Sequence, residues 1–409
     1  MSRYIFCIPF LITAIVCNAQ IEEQFLRSHI YFLASDSMKG RETGSVDEKY
    51  AAAYISSQFN SYGLSPAGVN GTWYQSFHFR YSPDPHNLDT MHAVYKIGTN
   101  VIGFLDNHAL YTVVIGAHYD HLGLGYDHNA LDINPEGKIH NGADDNASGS
   151  AGVMELARYY SSNNITEQYN FLFICFSGEE LGLIGSKKFC DSPTIVLSTV
   201  NYMVNMDMIG RLRDSTNTIE LGGVGTSPTF IPLINKLSGP FHIKLDSSGV
   251  GPSDHTSFYL KNIPVLFFFT GQHSDYHKPT DDADKINFSG EVKVLDYVVR
   301  LIDKLNNQQK RVFTKTKNSS QDLPAFKVTL GIMPDYVFEG KGLRVDAVSD
   351  NRPAAKAGLL SGDVIVQMGD IKVDNIQDYM KALSAFSKGA STEVSVIRKG
   401  NKIKIPVTF

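Results

Sequence analysis

The stretches 111–121 (YTVVIGAHYDH) and 170–180 (NFLFICFSGEE) share one pattern. Each is a short apolar run, rich in β-branched and aromatic residues, that ends in side chains able to bind a metal. Runs of this length, bounded by polar or glycine residues, read as strands buried on both faces. Residues 201–207 (NYMVNMD) and 263–269 (IPVLFFF) repeat the theme. Helix signals lie between and before them. Residues 45–62 (SVDEKYAAAYISSQFNSY) carry helical periodicity and stop at Gly63, and 147–161 (ASGSAGVMELARYYS) place Leu and Val on one face. Buried strands alternating with helices predict an α/β fold with a mostly parallel central sheet and helices on both faces.

The metal-competent side chains follow the strands. His118, Tyr119, Asp120 and His121 come after 111–117, and Gly142-Ala143-Asp144-Asp145-Asn146 opens a helix. Ser177-Gly178-Glu179-Glu180 follows 170–176, Asp207 ends 201–207, and His273-Ser274-Asp275-Tyr276-His277 follows 263–269. Active sites of open α/β sheets form outside the carboxyl ends of the strands, where all these clusters fall. Imidazole and carboxylate without thiolate suit a catalytic zinc that keeps a position open for water. Two neighbouring sites need a bridging carboxylate, and an Asp in a Gly-rich loop at a helix start is held rigidly enough to serve. Adjacent Glu179 and Glu180 leave their strand in different directions, so one can bind metal while the other acts as general base. Singly, each element has a plainer reading: a surface His-x-Asp pair, an N-capped turn at 144–146, a solvated Glu-Glu loop. Their common edge is what sets the combination apart.

Residues 115–123 (IGAHYDHLG), 141–149 (NGADDNASG), 177–186 (SGEELGLIGS), 205–210 (NMDMIG) and 276–281 (YHKPTD) resemble the signatures of the M28 family of zinc aminopeptidases and related peptidases. The stretches 31–44 (YFLASDSMKGRETG) and 250–258 (VGPSDHTSF) are also similar, and the resemblance covers roughly residues 25–305. It implies a zinc exopeptidase fold and two zinc ions per chain. His118, Asp145 and Asp207 would hold one zinc; Asp145 would bridge to the second, completed by Glu180 and His277. Glu179 would be the base for the bridging water, Asp120 would orient the imidazole of His118, and Tyr276 would donate to the tetrahedral oxyanion. His121 and His273 are expected beside the site without a metal, and His255 near a helix start. Glutaminyl cyclases of similar fold use one zinc and non-catalytic receptors have lost ligands; the complete set here argues against both.

Composition bounds the rest. Arg3 precedes an apolar run from Tyr4 to Val16, then Cys17-Asn18-Ala19. The run is short for a membrane span, which needs about 20 residues, and suits an export signal cleaved after Ala19. A mature protein of the periplasm or extracellular space is expected, with no stable membrane span; an uncleaved anchor is the plainer alternative. Of four cysteines only Cys175 and Cys190 follow the signal, and no Cys-x-x-Cys pair exists, so neither a disulfide framework nor a thiolate zinc site is expected. Net charge is −5 with no long basic stretch, so nucleic acid is not an expected partner.

The expected organisation is a signal at 1–19, a peptidase domain at 20–305, a polar linker at 306–322 (beginning NNQQKRVFTKTKNSS) and a small β-rich domain at 323–409. Residues 351–373 (NRPAAKAGLLSGDVIVQMGDIKV) resemble a bacterial PDZ domain. The resemblance places a peptide-carboxylate loop at Leu330-Gly331-Ile332, where backbone N–H groups would meet an anionic chain end. Peptide or protein substrates follow, with removal of N-terminal residues as the expected reaction. The alternatives are carboxypeptidase or dipeptidase activity on the same metals, or a metal-stabilised scaffold that presents peptides. Glu179 beside a complete ligand set favours the enzyme, because a scaffold needs no base.

Overall fold

The computed structural model describes residues 19–81, 94–126, 129–132, 134–237, 239–316, 328–334, 338, 340–348, 352–374 and 376–409. The apolar run of the expected export signal and residues 317–322 of the expected linker lie outside them.

The first unit is built on a nine-stranded sheet: β1 (Ser65–Pro66), β2 (Tyr74–Tyr81), β3 (Val94–Leu105), β4 (Thr112–His118), β5 (Asn170–Phe176), β6 (Val200–Met206), β7 (Thr218–Gly222), β8 (His242–Leu245) and β9 (Val265–Phe269). Their spatial order is β1-β3-β5-β4-β6-β9-β7-β8, with β2 paired to β3. The centre, β5-β4-β6-β9, is parallel. These four strands are buried at every position, which is why they read as unbroken apolar runs. The flanks are antiparallel: β2 with β3, β3 with β5, β7 with β9. The outermost pair, β7 with β8, is parallel again, so the sheet is mixed, with an all-parallel centre. Burial alternates along β2, the mark of a strand with one solvated face, so it carries no unbroken apolar signal.

Helices α1 (Glu23–Leu33), α2 (Val46–Ser61), α3 (Gly149–Ser162), α4 (Ile184–Asp191), α5 (Phe230–Ile234), α6 (His255–Tyr259) and α7 (Phe288–Leu305) cover both faces. The two-residue period of a strand sorts the side chains. Val113, Ile115, Phe171, Phe173 and Val204 join a core with α1, α2, α3, α5 and α7. Val114, Leu172, Ile174 and Met203 face the other way, against Phe189 of α4 and Phe258 of α6. Ser45 caps α2 by accepting from the Glu48 N–H at 3.0 Å. Cys175 and Cys190 are free thiols in this interior. No helix among the described residues is long and apolar enough to cross a membrane.

The second unit has its own antiparallel sheet: β10 (Ile332–Pro334), β11 (Leu343–Val348), β12 (Val364–Met368), β13 (Ile371–Lys372), β14 (Ser391–Arg398) and β15 (Asn401–Thr408), ordered β10-β11-β12-β14-β15 with β13 on β12. Helices α8 (Pro353–Ala357) and α9 (Ile376–Ser384) complete it around a separate apolar core. α8 starts on Pro353 and ends at left-handed Gly358. Arg398 grips the following turn through two 2.7 Å bonds to Asp363. Gly331 has φ +71, and a Cβ there would meet Arg352 Cβ at 2.2 Å, so this loop requires glycine. Its N–H donates to the Thr329 hydroxyl at 3.0 Å, and the Leu330 carbonyl accepts from Ala354.

The stretch 306–316, which composition reads as linker, is instead bound to the first unit. Arg311 is buried; its guanidinium donates to the Tyr169 hydroxyl and the Leu305 carbonyl at 2.9 Å, and its N–H to Asn201 Oδ1 at 2.6 Å. Thr314 N–H donates to the Thr226 carbonyl, Phe313 packs on Tyr259, and Thr316 Oγ1 accepts from Gly249 N–H at 3.1 Å. A chain ending at Leu305 is expected to unfold at a Tm lower than one ending at Thr316. Losing three or four buried hydrogen bonds at about 1 kcal/mol each predicts a fall of roughly 5–10 °C. Equal Tm values in thermal unfolding would show that the segment contributes nothing.

Candidate metal centre

Because β4, β5, β6 and β9 run parallel, the chain leaves all four at one edge, and the expected ligands gather there. His118 ends β4, Glu180 follows β5, Asp207 follows β6, and His277 lies in the loop after β9. Asp145 comes from the turn before α3, where left-handed Gly142 permits a close approach: a Cβ there would meet the Asp145 carbonyl at 2.2 Å.

Two groups of nitrogen and oxygen donors form. His118, Asp145 and Asp207 offer atoms within 4.8 Å of one another, with His118 Nε2 at 3.4 Å from both carboxylates. His277 Nε2 lies 3.2 Å from Asp145 Oδ2 and 3.1 Å from Glu180 Oε2. Asp145 thus turns one oxygen to each group. Glu179 Oε2 stands 3.9 Å from His118 Nε2, beside both.

The electrostatics are those of a compact ionic cluster. Burial alone would lower the His118 pKa, but the carboxylates of Asp207, Glu179 and Asp145 raise it well above its ordinary value. His277 behaves alike, burial being outweighed by Glu180 and Asp145. Burial pushes the Glu179 carboxyl well up, with the His118 ring opposing and Asp207 adding to it.

Zinc fits this donor set. The groups contain only imidazole and carboxylate, they share one carboxylate, and His277 Nε2 is buried without a hydrogen-bond partner among the described residues.

The surrounding shell departs from expectation in informative ways. Asp120 meets His118 through its backbone: Nδ1 lies 3.2 Å from the Asp120 carbonyl and 3.8 Å from its carboxylate. The carboxylate instead accepts from Thr43 Oγ1 at 2.8 Å and Glu179 N–H at 3.2 Å, so it holds the base rather than the ring. His121 Nδ1 lies 2.7 Å from Glu180 Oε1, which brings it into the second donor group. Asp281, the last residue of YHKPTD, accepts from the N–H groups of Asp144 and Asp145 at 3.0 and 3.1 Å and so clamps the shared ligand. Asp144 itself turns away to Gly210 N–H at 2.7 Å and to His273 Nε2 at 3.1 Å. His255 is stacked on Phe267 with centroids 4.5 Å apart, and burial lowers its pKa to about 3. The Tyr276 ring stacks on His277 with centroids 3.8 Å apart.

Arg41 was not singled out by sequence reasoning, though it lies in 31–44. It is fully buried and donates to the carbonyls of Tyr119, Leu33, Asn141 and Gly142. One side chain thus ties α1, the end of β4 and the loop that carries Asp145. Burial lowers its pKa to about 10, against the pull of Asp120, Asp145 and Asp281, so it stays charged behind the carboxylates. Arg41→Met should cost about 3–5 kcal/mol in denaturant unfolding, because several buried carbonyls lose their donor at once. A loss below about 1 kcal/mol would mean that water replaces the guanidinium.

Residues 100–302 match the profile of Peptidase family M28, and residues 313–409 that of a PDZ domain. Leucine aminopeptidase 2 of Trichophyton rubrum is 28% identical over 203 residues, 46% of this chain and 39% of that protein. The chain therefore spans about two fifths of the length of that relative. The aminopeptidase from Aneurinibacillus sp. strain AM-1 shares the fold with TM-score 0.53 and 18% identity, over 72% of this chain and 95% of its own. Porphyromonas gingivalis glutaminyl cyclase does so with TM-score 0.56 and 15% identity, over 70% and 99%.

Proposed function

We propose, for a chain that carries a peptidase family M28 domain followed by a PDZ domain, that it is an exported di-zinc aminopeptidase. The observation that carries this reading is the pair of donor groups sharing Asp145 with Glu179 beside them. His118, Asp145 and Asp207 would hold one zinc, and Asp145, Glu180 and His277 the other. Zinc, when bound, supplies Lewis-acid polarisation of a scissile carbonyl and brings the pKa of water towards neutrality.

The remaining work belongs to the chain. The Glu179 carboxylate takes a proton from the attacking water and returns it to the departing amine. Asp120 keeps that base in place through the Glu179 N–H, and His121 steadies Glu180. The Tyr276 hydroxyl would donate to the oxyanion, its ring held by the stack on His277. The names of the curated relatives support release of an N-terminal residue over the carboxypeptidase reading. The fold shared with a cyclase does not bear on the reaction. The PDZ domain would capture a peptide terminus beside edge strand β10. Export rests on the apolar run Tyr4–Val16.

The test is hydrolysis of free and N-acetylated peptides by zinc-loaded protein, with metal content measured on the same sample. Two zinc per chain and cleavage of free peptides alone is the expected result. Release of C-terminal residues from blocked peptides would indicate a carboxypeptidase, and bound metal without hydrolysis a scaffold. A chain ending at Thr316 should still cleave short substrates, because every residue assigned to the chemistry lies in the first unit.

A further inference from the structure

Just past the expected cleavage point the chain is tied to the first unit. Ile21 is buried in its main core. Arg158 Nη2 donates to the Gln20 carbonyl at 2.5 Å, and Glu22 N–H donates to Glu155 Oε1 at 2.7 Å. Arg158 also pairs with Glu155 at 2.7 Å and with Glu22 at 3.3 Å, and its guanidinium lies 4.5 Å from the centroid of the Phe25 ring. Glu155 is fully buried in α3, so this anchor is a built part of the fold.

Gln20 stands at the end of the anchor. Its carbonyl is held, but the residue is exposed. Cleavage after Ala19 makes it the first residue and gives it a free α-amine on the solvent side. An α-amine titrates at about 7.7–8.0, so near neutral pH part of it is free base and nucleophilic. The side-chain amide of the same glutamine lies within reach, at the distance that closes a small lactam ring. An internal glutamine cannot do this, because its nitrogen is already part of a peptide bond.

We propose that Gln20 is a modification site: as the first residue of the exported chain it closes to pyroglutamate. The α-amine nitrogen bonds to the side-chain Cδ, the bond from Cδ to Nε2 breaks, and a proton of the amine leaves with Nε2 as ammonia. No metal, oxidant or co-reactant is consumed. The inference rests on the export reading, with cleavage after Ala19. The product has neither an α-amine nor a terminal charge. For an aminopeptidase this closes its own N-terminus to its own reaction, and it keeps the Gln20 carbonyl in place for Arg158.

The experiment reads the N-terminal tryptic peptide, residues 20–27 (QIEEQFLR), of the full-length protein recovered from the cells that naturally produce it. Digestion is run under conditions in which a synthetic peptide of that sequence keeps its ammonia. Mass spectrometry should find a peptide that starts at Gln20, is lighter than its sequence by one ammonia, and does not take an amine label at its first residue. Gln20→Ala, exported in the same way, should start at position 20 with unaltered mass and a reactive amine. Circular dichroism confirms that this variant is folded. A wild-type chain that starts at Gln20 with its full mass and a reactive amine overturns the inference and leaves export standing. A loss of ammonia that persists in Gln20→Ala overturns it as well. A chain that keeps residues 1–19, or that starts elsewhere, overturns the cleavage reading and the inference together.

Discussion

Asp145→Ala is expected to empty both metal sites and abolish turnover. Asp145 is the one residue common to the two donor groups, with one oxygen 3.4 Å from His118 Nε2 and the other 3.2 Å from His277 Nε2. Loss of a residue that only supports a ligand costs about 10–100-fold in affinity. Loss of a ligand shared by two cations should exceed that at each site, and without the bridge the two cations would also repel directly. The neighbouring Asp144→Ala is the control. It removes a carboxylate of the same turn that faces Gly210 and His273, so its damage should fall on stability before metal content. Elemental analysis after dialysis against metal-free buffer reads the outcome. If Asp145→Ala retained two equivalents of zinc, the shared-ligand geometry would be wrong.

Glu179→Gln should leave zinc near its normal content and lower kcat by at least about two orders of magnitude, within the ~10²–10⁴-fold typical of a general base. The amide keeps the shape and the backbone bond to Asp120, but cannot take a proton at neutral pH. KM should change little, since this group acts on the proton rather than on the substrate's anchoring. Glu180→Gln makes the same chemical change one residue on and should behave in reverse. Glu180 lies 3.1 Å from His277 Nε2 and 2.7 Å from His121 Nδ1, so the amide loosens the second donor group and metal is lost first. Zinc loss in Glu179→Gln with retention in Glu180→Gln would invert the assignment within the pair. Full activity of both would remove the peptidase mechanism altogether.

The donor set was readable from the chain because it is a local property of strand ends. β4, β5, β6 and β9 are buried on both faces, so each had to be written as an unbroken apolar run. The first polar residues after such runs emerge at one edge once the strands are parallel. His118, Glu179, Glu180 and Asp207 follow from that alone, and the Gly-rich turn before α3 adds Asp145. The small second domain was legible for a similar reason: Pro353, Gly358 and the turn at 361–363 each mark a backbone conformation that few other residues adopt.

What the sequence could not decide are the partners that meet across long stretches of chain. Whether Asp120 turns its carboxylate to His118 or to Glu179 depends on a contact between β4 and the loop after β5. Arg41 reaches Gly142 across 101 positions, Asp281 reaches Asp145 across 136, and Arg311 reaches Tyr169 across 142. A strand period of two says which face a side chain takes, but not which loop or strand covers that face. Residues 306–316 show the same limit: their composition is that of a solvated linker, and they are bound because the first unit happens to present Asn201, Tyr169 and Thr226 along their path. Local pattern therefore determined the four central strands and the atoms able to bind metal. Tertiary packing alone decided which groups hold those atoms in place, because those contacts exist only once distant segments have been brought together.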